Sequence, residues 1–124
     1  MTDLAGKHAL VTGGGTGIGL GISRRLLQAG VVVTIAGRRE EVLIGAKKHF
    51  EDEGIESRLI KISVCDVTLP EQVQSAVEVA SSNDGSLDIS VANAGIGAGG
   101  PFLTMKAEAL RSVLEVNIVG AFNT

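Results

Sequence analysis

The sequence predicts a three-layer α/β fold built on a doubly wound parallel sheet. Short β-branched runs alternate with longer segments of helical period, which implies strands joined by right-handed helical crossovers. A cluster of glycines sits where the first such run passes into the first helix. The composition is that of a packed chain: 44% of the 124 residues are hydrophobic and 20% charged, with 11 Lys+Arg against 14 Asp+Glu for a formal net charge of -3. That balance excludes a disordered chain and a nucleic-acid polycation. The length suits one domain with one core.

His8-Ala9-Leu10-Val11-Thr12 is the first strand, running into Gly13-Gly14-Gly15-Thr16-Gly17-Ile18-Gly19. Ile18, Ile22 and Leu26 then recur every fourth residue as one helix face, and Gly30 stands where a left-handed helix cap is usual. Val31 to Ala36 is a second strand, read as buried on both faces. Val42, Ala46 and Phe50 mark a second helix that Gly54 ends, and Leu59 to Val64 is a third strand. Pro70 opens a third helix at a first-turn position, where its missing N–H does no harm, with Val73, Val77 and Ala80 on its face. Asn83-Asp84-Gly85 is a turn, and Leu87 to Val91 is a fourth strand. A last helix begins near Thr104, with Leu110, Val113, Leu114 and Asn117 on one side. Through residues 118–124 the apolar pattern keeps running, and the fourth strand would be left as an exposed edge. The expectation is a polypeptide truncated after its fourth strand and the helix that follows.

The single cysteine excludes an internal disulfide and fits a reducing compartment. The N-terminus shows no basic region followed by an apolar run, and no apolar stretch is long enough to span a bilayer. These features predict a cytoplasmic protein with no membrane and no nucleic-acid partner. Cys65 reads as a buried small hydrophobe, since no His or other base lies near it in sequence. His8 and His49 read as surface residues, and nothing suggests a metal site.

The glycine cluster is the strongest chemical signal. Glycine lets a chain turn tightly and lets backbone N–H groups approach a diphosphate with no Cβ in the way. The following helix N-terminus adds about half a positive charge near such an anion. A glycine turn that only packs the helix on the sheet is the plainer reading. The loop is not a P-loop, because no Gly-Lys-Ser/Thr follows, and it does not match the G-x-G-x-x-G pattern.

Thr12-Gly13-Gly14-Gly15-Thr16-Gly17-Ile18-Gly19 resembles the TGxxxGIG signature of the short-chain dehydrogenase/reductase family. Three further matches follow in family order. Cys65-Asp66-Val67-Thr68 is similar to the segment with the acidic residue that holds the adenine. Ala92-Asn93-Ala94-Gly95 resembles the NNAG motif, with Ala92 in place of its first Asn. Val116-Asn117-Ile118-Val119-Gly120 is similar to the segment bearing the active-site Asn. The resemblance covers essentially the whole chain. It implies that residues 1–124 are the N-terminal portion of a Rossmann-like dinucleotide-binding domain. It implies cofactor contacts at Gly13, Gly15, Thr16, Gly17, Ile18, Gly19, Asp66, Val67, Asn93, Ala94 and Gly95. It also implies a catalytic role for Asn117, an alcohol or ketone as substrate, and a homo-oligomer for the full-length protein.

The choice of dinucleotide lies after the second strand. A carboxylate there would bind the ribose hydroxyls and repel a 2′-phosphate. This chain reads Ala36-Gly37-Arg38-Arg39 instead, and an Arg offers a charge-assisted grip on phosphate. The expectation is NADP(H) over NAD(H), with Arg38 the first contact and Arg39 beside it. The bland alternative makes both solvated residues heading the second helix. Asp66 likewise reads either as the adenine acceptor or as a plain Asp preceding a helix. Asn93 and Asn117 read either as site residues or as structural amides, one tying strands and the other stabilising a bend.

By the same resemblance, hydride transfer uses Asn, Ser, Tyr and Lys, the last two in a Tyr-x-x-x-Lys motif. This chain has no Tyr, so of the four only Asn117 is here. Two expectations stand: the cofactor-binding half of an NADP(H)-dependent oxidoreductase acting on CH-OH groups, or a catalytically inactive nucleotide-binding module. A methyltransferase using S-adenosylmethionine is a third possibility, against which Gly37-Arg38 speaks, since that fold places an acid at this point.

Overall fold

The structure, a computed structural model, describes residues 3–124. Four parallel strands form one sheet: β1 (His8–Thr12), β2 (Val32–Gly37), β3 (Ile60–Val64) and β4 (Ile89–Val91), in the order β3-β2-β1-β4. Helices α1 (Gly17–Gln28) and α2 (Glu40–Asp52) follow β1 and β2, and α3 (Pro70–Ala80) follows β3. Helix α4 (Ala107–Leu114) runs without a break into a π-helical turn, Glu115–Gly120, and a last turn, Ala121–Asn123.

Alternation along β2 sorts its side chains to two layers. Val33 and Ile35 join Leu27, Leu43 and Phe50 in one cluster, with α1 and α2. Ala36 faces the other way, with Leu10, Val73, Ala76 and Ala80 in the layer of α3. Thr34 shares that second face, is fully buried, and its hydroxyl has no hydrogen-bond partner. An unpartnered buried hydroxyl is a net loss. Thr34→Val, of similar shape, is expected to stabilise the chain by about 1 kcal/mol, read as a melting temperature higher by a few degrees. A lower one would contradict this.

The predicted elements are present; β4 begins at Ile89 rather than Leu87, and other shifts in bounds have physical causes. Val31 lies outside β2 because it completes the end of α1. Gly30 has φ +82° and donates to the Leu27 carbonyl (2.9 Å), and Val31 donates to that of Leu26 (3.1 Å), the bonding of a Schellman cap. Gly54 and Ile55 close α2 on Glu51 and Phe50 in the same way. Leu59 belongs to a 3₁₀ turn, Ser57–Leu59, and residues 102–104 form another before α4. Helix α1 buries Gly19, Ser23 and Leu27 most deeply; of the expected row, Ile22 and Leu26 pack against the core while Ile18 is 78% exposed. Small residues occupy the inner row because the helix backbone sits directly on the glycine turn. Helix α4 buries none of its residues, and Phe102, Leu103 and Phe122 lie exposed around it. No helix among the described residues is long and apolar enough to cross a membrane.

Candidate functional site

The strand order reverses beside β1: the chain moves outward to β3 and then returns to place β4 on β1's other side. Open α/β sheets bind ligands at such a point, beyond the carboxyl ends of the strands. A cleft of about 140 Å³ opens there, lined by the turns that follow all four strands.

After β1, Gly13, Gly15 and Thr16 line the cleft. Gly13 has φ +67°, a left-handed conformation, and a Cβ on it would meet Asn93 Nδ2 at 2.8 Å. Gly19, in the first turn of α1, has no room for a Cβ, which would overlap the Gly13 carbonyl. The helix therefore starts hard against the turn. Its N-cap, Thr16, makes no side-chain cap bond, and the Gly17, Ile18 and Gly19 amides have no acceptor among the described residues. The first α1 amide to be satisfied is that of Leu20, on the Thr16 carbonyl (3.0 Å). Open amides at a helix start are an anion cradle.

After β2, Arg38 and Arg39 line the next wall, both exposed. Neither guanidinium pairs with a carboxylate among the described residues, and Arg39 is the N-cap of α2.

After β3 come Cys65, Asp66 and Val67. Asp66 Oδ1 accepts from the Thr68 hydroxyl (2.7 Å) and the Thr68 amide (2.9 Å). Those bonds, with a smaller contribution from the Arg38 charge, hold its carboxyl below the usual aspartate value. Its second oxygen and the Val67 amide have no partner among the described residues. Cys65 is buried as expected, and burial pushes its thiol upward, the charge of Asp66 adding to the effect.

After β4, Ala94, Gly95 and Ile96 form the remaining wall, with Val116 from the π-turn. Asn93 stands behind it. Its side-chain amide donates to the Thr12 (3.1 Å) and Gly13 (3.3 Å) carbonyls, and the Thr12 hydroxyl accepts from the Asn93 and Ala94 amides (both 3.1 Å). This lashing ties the ends of β1 and β4 beneath the cleft. Asn117, inside the π-turn, accepts from the Ile96 amide and donates to its carbonyl, both at 2.9 Å. It reaches the cleft through that backbone rather than directly.

The structure thus gathers Gly13, Gly15, Thr16, Arg38, Arg39, Asp66, Val67, Ala94 and Gly95 on one cleft. It sets Gly17, Ile18 and Gly19 at the head of α1, and Asn93 and Asn117 as supports. Sequence reading missed Cys65 and Ile96 as lining residues and Thr12 as the joint. Apolar or single-hydroxyl residues carry no chemical pattern of their own, though each lies within two residues of a motif that was read. His8 is half-buried rather than on the surface, its Nδ1 3.1 Å from the Ala80 carbonyl. No group of three or more His, Cys, Asp or Glu fit for a metal ion occurs among the described residues.

Residues 7–124 match the family described as short chain dehydrogenase. The chain belongs to that family. It is 34% identical over its whole length to an uncharacterized oxidoreductase of Staphylococcus saprophyticus, covering 52% of that protein. Among solved short-chain dehydrogenase structures it is similar to a gluconate 5-dehydrogenase of Burkholderia cenocepacia in complex with NADP and tartrate. The TM-score is 0.80 at 35% identity, over 96% of this chain and 46% of the other. A 3-ketoacyl-(acyl-carrier-protein) reductase of Brucella melitensis complexed with NADH gives 0.84 at 30% identity, over 97% and 47%. The chain spans about half the length of the relatives it matches. Family membership sets aside the methyltransferase alternative.

Proposed function

We propose that this chain holds NADP(H), and that it is the cofactor-binding portion of an oxidoreductase acting on an alcohol or carbonyl of a small molecule. The observation that carries the choice of cofactor is the pair of unpaired guanidiniums, Arg38 and Arg39, where a carboxylate would otherwise repel a 2′-phosphate. One similar structure holds NADP and another NADH, which supports a nicotinamide dinucleotide here, and these two residues are what favour the phosphorylated form.

The residues fit the group. The α1 amides and the Gly13 to Gly19 turn receive the diphosphate. Asp66 Oδ2 and the Val67 amide stand as an acceptor beside a donor, the complement of the adenine edge, whose amino group donates and whose N1 accepts. The cofactor, when bound, supplies the hydride. Asn93 and Thr12 hold the floor of the cleft, and Asn117 fixes the Ile96 backbone in its wall, acting as a positioning residue.

Calorimetric titration of this chain with NADPH and NADH tests the reading. Tighter binding of NADPH supports it; equal binding, or none, contradicts it. A second outcome follows from the absence of Tyr. With no phenol to exchange a proton with the substrate oxygen, the 124 residues alone are expected to give no NADPH oxidation with any ketone. Absorbance at the reduced-nicotinamide band checks this, and steady turnover would refute it. The outcome is the same on the second reading, a nucleotide-binding module without activity of its own.

A further inference from the structure

The last helical turn reaches back to the turn after β3. The Asn123 side-chain amide donates to the Val67 carbonyl (2.8 Å), a partner 56 residues away. That carbonyl belongs to the Val67–Thr68 peptide, whose N–H donates to Asp66 Oδ1 (2.9 Å). A peptide unit is a rigid plane. Asn123 therefore holds one edge of a plate and Asp66 the other. The Thr68 hydroxyl grips the same Asp66 oxygen, so the tilt of the plate decides where the free oxygen, Oδ2, points. The support is close. A Cβ on buried Gly120 would stand 3.1 Å from that of Val67, so the π-turn rests directly on the valine.

We propose that Asn123 is a positioning residue for recognition of the adenine base, setting the Asp66–Val67 turn through the Val67–Thr68 peptide. The proposal rests on the dinucleotide reading above. It deepens it by assigning base selectivity to a residue outside the cleft lining and outside every motif in the sequence. Adenine presents a donor and an acceptor to Asp66 Oδ2 and the Val67 amide. Hypoxanthine presents a carbonyl and an N–H at the same two places and mismatches both.

The test compares the two bases. Affinities for NADPH, for reduced nicotinamide hypoxanthine dinucleotide phosphate and for NADH are measured by calorimetry on this chain and on Asn123→Asp and Asn123→Ser, with thermal melting alongside. Asp is nearly isosteric and donates nothing when ionised; Ser is too short to reach. The unaltered chain is expected to prefer adenine by about tenfold. Both variants are expected to lose most of that preference while keeping their preference for NADPH over NADH, which Arg38 sets. An unchanged base preference in the variants overturns the proposal. Equal weakening of all three ligands also overturns it, since that marks Asn123 as general support for the fold. An unaltered chain that binds no dinucleotide, or shows no base preference, overturns the dinucleotide reading or its adenine contacts instead.

Discussion

Gly19→Ala is expected to lower the stability of this chain by about 3 kcal/mol and its melting temperature by roughly 10 °C. The added methyl has nowhere to go. It would overlap the Gly13 carbonyl and crowd Asn93 Nδ2, and the first of these is backbone, which cannot swing aside as a side-chain end can. Either α1 lifts off the turn or the turn moves, and Thr12, Gly13 and Asn93 are bonded across β1 and β4 at that place. The same helix contains its own control. Gly21 has nothing within 4 Å of a would-be Cβ, so Gly21→Ala is expected to be neutral or to stabilise by up to about 1 kcal/mol through helix propensity. Thermal melting of both variants checks the pair. Equal effects would mean that the contact between α1 and the glycine turn is looser than described.

Arg38→Asp is expected to reverse the preference for cofactor. A charge-assisted bond contributes about 1.5–3 kcal/mol, so losing it should weaken NADPH by roughly ten- to a hundredfold. The new carboxylate adds repulsion toward the 2′-phosphate and offers the unphosphorylated ribose two hydroxyl contacts. NADH affinity should hold or improve. Arg38 is exposed, which makes a folding defect a poor explanation for lost binding. Equal loss for both dinucleotides would remove the phosphate contact from the account.

Much of this was legible in the sequence, for reasons that differ by element. β1 reads from His8 to Thr12 with no error because a glycine turn punctuates it. The bounds of β2 shift by one residue because Val31 is apolar as a helix cap, and hydropathy alone does not separate that from a strand. The inner face of α1 is legible only in part: Ile22 and Leu26 pack against the core as their period suggests, but periodicity counts large apolar side chains, and the closest contact surface is Gly19 and Ser23, the latter donating to the Gly19 carbonyl (2.8 Å). At the site, charge and glycine speak clearly: Gly13, Arg38 and Asp66 lie on the cleft that their residue types suggested. Contacts across long stretches of sequence stay silent. Nothing in Asn123 or Thr12 announces a partner far along the chain, because a single amide or hydroxyl is as common in an ordinary turn as in a joint.

On the proposed reading, amides at the start of α1 receive a diphosphate while Arg38 takes the 2′-phosphate. Amide chemical-shift mapping on isotope-labelled chain tests it most directly, residue by residue, as NADPH or NADH is added. Large shifts are expected at Gly15, Thr16, Gly17, Ile18 and Val67 with either ligand, and at Arg38 with NADPH alone. Unmoved glycine-turn amides at saturating NADPH, or identical Arg38 shifts for the two dinucleotides, would contradict it.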